Sequence, residues 1–272
     1  MRPIITLTTD FGTRDGYVGI MKGVMLSICP DGQCIDITHE IPPQNITAAA
    51  LVLESASPFF PPGTVHLVVV DPGVGTNRRP LALITPSACY VGPDNGVLSL
   101  VWRAARHCWS PDEIRAVELN EPSFWLPQIS ATFHGRDIFA PVAAHLACGV
   151  ASERLGTPLT NLTMLPLEEP AWEGPERLCG RVLFVDHFGN GVTSLTRDHL
   201  ERLTPPSDHP FPSGLRVTVG EAGSPTAPHL PLCLPVRTTY ADVAPGEAVA
   251  LIGGTGRLEI AQCNGNAAAP GG

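Results

Sequence analysis

Asp71 and Arg78 stand seven residues apart across a glycine turn, Asp-Pro-Gly-Val-Gly-Thr-Asn-Arg, short enough for the guanidinium to fold back onto the carboxylate. His134 lies in the run Phe133-His134-Gly135-Arg136-Asp137, at the mouth of a helical stretch. A carboxylate, a cation and an imidazole gathered around one small nucleophile could polarise and deprotonate a water molecule. Each also has a plainer reading: Asp71 with Arg78 as a loop-stabilising salt bridge, and His134 as a structural hydrogen-bonding group. Their separation in sequence leaves both readings open.

Other acidic residues share one setting. Four apolar runs, at residues 4–9, 65–70, 89–91 and 183–185, each lead into an aspartate among glycine-rich turn residues: Asp10, Asp71, Asp94 and Asp186. In open α/β sheets, ligands sit outside the carboxyl ends of the strands, where glycine lets the backbone turn sharply and approach them. The repetition suggests a polar ligand with several hydroxyl or amino groups. Asp10 and Asp186, acceptor-only when ionised, suit vicinal ribose hydroxyls, although an Asx turn or helix cap would satisfy them equally. Asp15, just before Gly16 and a helix, reads as a cap. Phe188 and Tyr240 could stack on a flat base or belong to a core. Asn190, Asn264 and Asn266 carry the donor and acceptor that adenine recognition needs, but asparagine beside glycine is also a plain turn signal. No His-x-x-x-His, His-x-His or Asp-x-Asp spacing occurs among these motifs, so a metal is not expected.

The elements that must position these residues follow from periodicity. Residues 17–28 carry Val18, Met21, Met25 and Ile28 near helical spacing. A strand is predicted at 34–38, and an alanine- and leucine-rich helix at 45–56 capped by Asn45. Strands at 65–70, 81–85 and 89–91 precede a helix from Gly96 to about Arg106, and another helix spans 138–148. This alternation argues for an N-terminal α/β domain, residues 1–164, with a mostly parallel central sheet. Residues 165–177, acidic and punctuated by proline, read as a linker without regular structure. Strand-like runs at 180–185, 215–219, 248–252 and 258–261, with proline-rich loops between them, predict an all-β domain over residues 178–272.

The 272 residues carry a formal net charge of −9 and no basic cluster, which argues against nucleic acid. No apolar stretch is long enough to span a bilayer, and the N-terminus enters a strand-like run without a signal-peptide pattern. A cytoplasmic location is the expectation. The eight cysteines include no Cys-x-x-Cys pair and read as inert, mostly buried thiols of a reducing compartment.

Taken in order, the motifs resemble a known family. They are Thr9-Asp10-Phe11-Gly12, Asp71-Pro72-Gly73-Val74-Gly75-Thr76 with Arg78, Gly92-Pro93-Asp94-Asn95-Gly96, Phe133-His134-Gly135-Arg136-Asp137, Asp186-His187-Phe188-Gly189-Asn190 and Gly256-Arg257-Leu258-Glu259-Ile260-Ala261. The series is similar to the S-adenosyl-L-methionine (SAM) hydroxide adenosyltransferases, the adenosine-forming SAM hydrolases related to bacterial fluorinase and chlorinase. The resemblance runs from about residue 3 to 268. It implies an α/β domain followed by a β-barrel-like domain, and a homotrimer binding SAM between the N-terminal domain of one subunit and the C-terminal domain of its neighbour. The implied reaction is attack of water or hydroxide on C5′ of SAM, giving adenosine and L-methionine without a cofactor.

By the same resemblance, Asp71, Arg78 and His134 correspond to the water-activating triad and Asp10 to the ribose-binding aspartate. Asp186 takes a similar place close to substrate, Asp15 holds the methionine amine, and Asn190, Phe188 and Tyr240 fall where the family contacts adenine. The halogenase branch lacks the triad and carries an insertion after the Arg78 turn that is missing here. Gln44 stands where halogenases commonly place tryptophan and Thr255 where they place arginine, so their loop contacts do not transfer. A SAM-dependent halogenase and a non-catalytic SAM or adenosine sensor are the alternatives.

Overall fold

A computed structural model of the chain describes residues 2–203, 215–220 and 232–269. The chain divides into two compact units, Met1–Pro166 and Leu167–Gly272, each taken by itself below.

The first unit opens with β1 (Ile4–Thr9), α1 (Tyr17–Ile28), β2 (Gln33–Thr38), α2 (Ile46–Ala56) and β3 (Thr64–Val69). It continues with β4 (Pro80–Ile84), β5 (Ala88–Pro93), α3 (Ser99–Cys108) and β6 (Arg115–Glu118). A π-helical turn at Gly135–Phe139 leads directly into α4 (Ala140–Ala147), and β7 (Thr157–Leu159) completes the unit. Its seven-stranded sheet has the order β2-β1-β3-β5-β4-β6-β7. Strands β2, β1, β3 and β5 run parallel, and β4, β6 and β7 extend the sheet in antiparallel fashion. The expected α/β domain with its parallel-rich sheet is therefore present. β6 and β7 escape the sequence reading because four residues, Arg-Ala-Val-Glu, and three with a central proline are too short for a periodic signal.

Helices cover both faces. Val65, Leu67 and Val69 pack with α1 and α4, while Val68 and Val70 pack with α2 and α3. β3 is consequently buried at every position, which is why it is apolar but for Thr64 and His66. The parallel register sets Thr9 opposite Val69. Asp10 and Asp71 thus leave the sheet at the same edge, past neighbouring strands.

Helix ends match their signals unevenly. Asn45 accepts a hydrogen bond from the Ala48 N–H at 2.9 Å and caps α2 as expected. Asp15 does not cap α1; Gly16 occupies that position and no side chain closes it. α3 begins at Ser99 rather than Gly96, since Gly96 adopts φ +102°.

In the second unit the stretch read as irregular contains a short hairpin. β8 (Ala171–Trp172) pairs with β9 (Leu178–Cys179), closed by the Glu173 N–H donating to the Arg177 carbonyl at 2.9 Å. There follow β10 (Val182–Val185), β11 (Gly191–Thr196), α5 (Arg197–Leu203), β12 (Arg216–Val219), β13 (Leu232–Arg237), β14 (Ala248–Ile252) and β15 (Arg257–Gln262). The curled six-stranded sheet has the order β10-β11-β15-β14-β13-β12, in keeping with the expected barrel-like β domain. The proline-rich loops at 205–206 and 210–212 lie outside the described residues. All eight cysteines are free, but only Cys29 and Cys263 are buried, and Cys108, Cys148 and Cys233 are exposed, against the expectation of mostly buried thiols.

Replacing Asn45 by Ala should destabilise the protein by about 1 kcal/mol, with Asn45→Asp close to neutral. Urea unfolding of the two variants checks this, and equal stability of Asn45→Ala and the parent would remove the cap from the account.

Candidate active site

The turn after β3 is wound by its own backbone. The Val74 N–H donates to the Asp71 carbonyl at 3.1 Å, and both the N–H and the hydroxyl of Thr76 reach the Gly73 carbonyl, at 3.1 and 2.7 Å. Gly75 has φ +77°, and a Cβ there would lie 2.5 Å from the Ala131 carbonyl oxygen, so only glycine fits.

This winding returns Arg78 to Asp71. Its Nε donates to Asp71 Oδ1 and Oδ2 at 3.0 and 2.9 Å, and Nη2 donates to Oδ2 at 2.5 Å. The pair is buried, with side-chain exposures of 9% for Arg78 and 5% for Asp71. The guanidinium stacks 5.0 Å from the centroid of the fully buried Phe139 ring. Nη2 also lies 2.8 Å from Nδ1 of His134. The three candidate catalytic residues therefore meet, and the plain salt-bridge reading covers only part of the arrangement.

That last contact assigns the tautomer of the imidazole. A guanidinium only donates, so Nδ1 accepts and the neutral ring carries its proton on Nε2. Burial, and next the Arg78 charge, hold the His134 pKa below its ordinary value. His134 is placed at the start of the π-helical turn because Gly135 packs where a Cβ would meet Met21 Sδ at 3.3 Å and the Phe11 ring at 3.5 Å.

Asp10 opens a second wall. Its Oδ2 accepts the Gln44 N–H at 2.8 Å, and Gln44 takes φ +65°, a left-handed conformation rare for a side-chain-bearing residue. The loop after β1 is pinned by the Gly12 N–H on the His39 carbonyl at 2.8 Å and the Phe11 N–H on the Thr9 hydroxyl at 3.2 Å. Between these walls lies a cleft of about 450 Å³ whose lining includes Asp10, Tyr17, Gln44, Asp71, Phe133 and His134. Phe11, Tyr17 and Phe133 meet edge to face, with centroids 5.3 to 6.0 Å apart. The sequence reading missed this aromatic cluster, although Phe11 and Phe133 stand inside two of its motifs. Asp15 is exposed and does not line the cleft.

The remaining candidates belong to the second unit. Asp186 Oδ1 accepts the N–H groups of Phe188 and Asn190 at 2.9 and 2.8 Å, and Oδ2 accepts Asn190 Nδ2 at 3.0 Å. Asp186 thus organises its own turn, the plainer of its two readings, and holds the buried Asn190 side chain. Phe188 is 72% exposed and Tyr240 is 40% exposed, so neither is core. The Tyr240 hydroxyl donates to Glu259 Oε2 at 3.1 Å, and burial together with that carboxyl pushes the phenol up to about 12. Glu259, buried on β15, was singled out only as part of a motif. Asn264 has φ +52° and serves its turn, and Asn266 accepts the Ala268 N–H at 2.9 Å. Among the described residues, no three His, Cys, Asp or Glu side chains converge as metal ligands.

Comparison with known proteins shows the family. Residues 5–156 match the SAM hydroxide adenosyltransferase N-terminal domain and residues 180–270 match its C-terminal domain. The chain belongs to the SAM hydroxide adenosyltransferase family. It is 40% identical to the (R)-S-adenosyl-L-methionine hydrolase of Thermus thermophilus, over 98% of this chain and 94% of that one. The protein of the same name from Salinispora tropica is 39% identical over 98% and 92%. A fluorinase of Nocardia brasiliensis belongs to the same circle at 30% identity over 96% and 90%. An uncharacterized conserved protein from Thermotoga maritima shares the fold with a TM-score of 0.82 and 37% identity, over 97% of this chain and 94% of that one.

Replacing Arg78 by Gln should raise the His134 pKa, because the repelling charge goes while the Asp71 carboxylate stays. Titration of the imidazole signals by NMR, assigned with a His134 variant, reads the change. An unmoved pKa would show that Arg78 does not act on the ring.

Proposed function

We propose that this chain hydrolyses SAM to adenosine and L-methionine by attack of water on C5′. The observation that carries the reading is the Arg78 guanidinium held at once by Asp71 and His134, with both partners lining a cleft at the sheet edge. A site that only held a nucleoside would have no use for such a group. The names of the similar (R)-SAM hydrolases support the substrate. The complete triad favours hydroxide over the halogenase branch.

Methionine leaves as a neutral thioether, so the leaving group needs no acid. The difficulty is the nucleophile, since water is barely ionised at neutral pH. Neutral His134, protonated on Nε2, donates to the water oxygen and orients it. Arg78 stabilises the hydroxide character that develops, and Asp71, the acceptor of the group, takes the departing proton and returns it to solvent. The oxygen bonds to C5′ as the C5′–S bond breaks, and its electron pair leaves on sulfur. Adenosine keeps the second water proton at O5′. Alignment of oxygen, C5′ and sulfur at about 3–3.5 Å supplies a further part of the acceleration.

Asp10 binds the ribose hydroxyls through the carboxylate that Gln44 steadies, and Asp15, exposed and outside the cleft lining, takes the methionine amine where the substrate extends beyond the cleft. Asp186 lies close to substrate, and Asn190, Phe188 and Tyr240 receive adenine. The working unit is a homotrimer whose sites are completed between neighbouring subunits, as family resemblance suggests. No metal or organic cofactor enters. Free thiols throughout suit a reducing compartment, and we place the enzyme in the cytoplasm. No helix among the described residues is long and apolar enough to cross a membrane.

Incubation of EDTA-treated protein with SAM in ¹⁸O-labelled water, with and without chloride, should yield adenosine labelled at the 5′ oxygen. A 5′-halo product would transfer the chain to the halogenases, and intact bound SAM would make it a sensor. His134→Ala should lower kcat by about 10² or more with KM little changed, whereas Asp10→Ala should raise KM by about tenfold or more. Equal loss of binding and turnover in His134→Ala would contradict its role. On acidification, protonation of Nδ1 would set a proton against the guanidinium, so kcat should fall only below the ordinary histidine range.

A further inference from the structure

Asp94 is one of the four strand-end aspartates, yet it does not line the cleft. It is 6% exposed, and both carboxylate oxygens are engaged by protein. Oδ2 accepts Arg79 Nε at 2.8 Å and Nη2 at 2.5 Å, while Oδ1 accepts the Thr163 N–H at 2.7 Å. The Asp94 N–H in turn donates to the Arg79 carbonyl at 2.9 Å. Asn95 reaches the other way, with Nδ2 donating to the Val70 carbonyl at 2.9 Å and Oδ1 accepting the Val97 N–H at 3.2 Å.

Val70 immediately precedes Asp71, and Arg79 immediately follows Arg78. We infer that Asp94 and Asn95 are positioning residues, a clamp that grips both ends of the loop carrying Asp71 and Arg78 and so fixes the guanidinium against His134. This inference rests on the hydrolytic reading of the same site.

The surroundings are built for that grip. Gly92 lies where a Cβ would stand 2.6 Å from the Val68 carbonyl oxygen, so β5 presses on β3 and brings Asn95 within reach of Val70. Gly96 leaves room for Leu165, whose N–H donates to Ser99 Oγ at 2.7 Å. The segment carrying Asn161 and Thr163 is thereby held down, and the Asn161 carbonyl accepts Arg79 Nη2 at 3.1 Å. Arg79 is thus held from two sides, by Asp94 and by Asn161. Its neighbour Arg78 must place Nη2 on two partners at once, and errors of about 1 Å in such a group can cost about 10²-fold in rate.

The variants are Asn95→Ala, which removes the bond to Val70 and leaves every charge in place, and Asp94→Asn, which weakens the hold on Arg79. Each is assayed for kcat and KM with SAM, and the His134 pKa is followed by NMR in the SAM-free protein. Both variants should lose about tenfold or more in kcat with KM within about threefold. The His134 pKa should rise towards its ordinary value as Arg78 drifts from Nδ1. A folded Asn95→Ala protein with unchanged kcat and an unmoved His134 pKa would overturn the clamp. So would a loss of kcat without any movement of that pKa, since a purely structural role predicts it. If Asp94→Asn fails to fold, Asn95→Ala decides alone. The NMR readout needs no substrate, so it tests the clamp even if SAM proves not to be hydrolysed.

Discussion

A guanidinium taken out of water is costly unless its donors are matched, and Arg78 shows how fully this chain meets that demand. The Asp71 carboxylate faces it with both oxygens, the His134 imidazole takes a further N–H, and the Phe139 ring lies beneath it. Removing any one partner leaves a buried charge short of compensation, which typically costs several kcal/mol. The same shortage makes the arrangement useful. The charge cannot swing out to solvent, and it cannot let His134 protonate without losing a hydrogen bond. A fixed positive charge beside a neutral ring and a carboxylate is the field that a developing hydroxide needs.

That constraint propagates outward. Arg78 can return to Asp71 only because the intervening turn closes on itself around Gly73 and Gly75. The turn stands beside the Asp10 loop because β1 and β3 pair in parallel with Thr9 opposite Val69. Parallel strands place their carboxyl ends together, and the helices on both faces leave that edge as the open one. On the neighbouring strand the Gly92–Gly96 turn forgoes a ligand-facing role and secures the loop from behind. One recurring pattern, an aspartate past a strand, thus lines the cleft at Asp10 and Asp71 and turns inward to protein partners at Asp94.

In the second unit the carboxylates are bound to their own turns. Asp186 organises the residues up to Asn190, and Glu259 receives the Tyr240 hydroxyl. Such internal bonds fix the turn that carries the exposed Phe188 and the hydroxyl of Tyr240. Gly253 contributes by omission, since a Cβ there would collide with the Glu259 carboxyl.

The sequence by itself determined the elements with strong periodicity or clear caps: α1, α2 with its Asn45 cap, the buried run of β3, and the β character of the C-terminal part. It also determined which residues were candidates, because glycine turns and short carboxylates past strands are local signals. What it left open were β6, β7 and the β8–β9 hairpin, whose few residues pair only because a neighbouring edge is available, and also β11, α5 and β13. It could not separate Asp94 from Asp10, since both look alike in one dimension and differ only in the groups that long-range folding brings to them. Tertiary structure alone decided that Arg78 meets His134 across 56 residues, which ring nitrogen carries the proton, and that Gln44 adopts a left-handed backbone to reach Asp10. Those outcomes depend on distances of a few ångströms between segments far apart in the chain, and no local propensity encodes them.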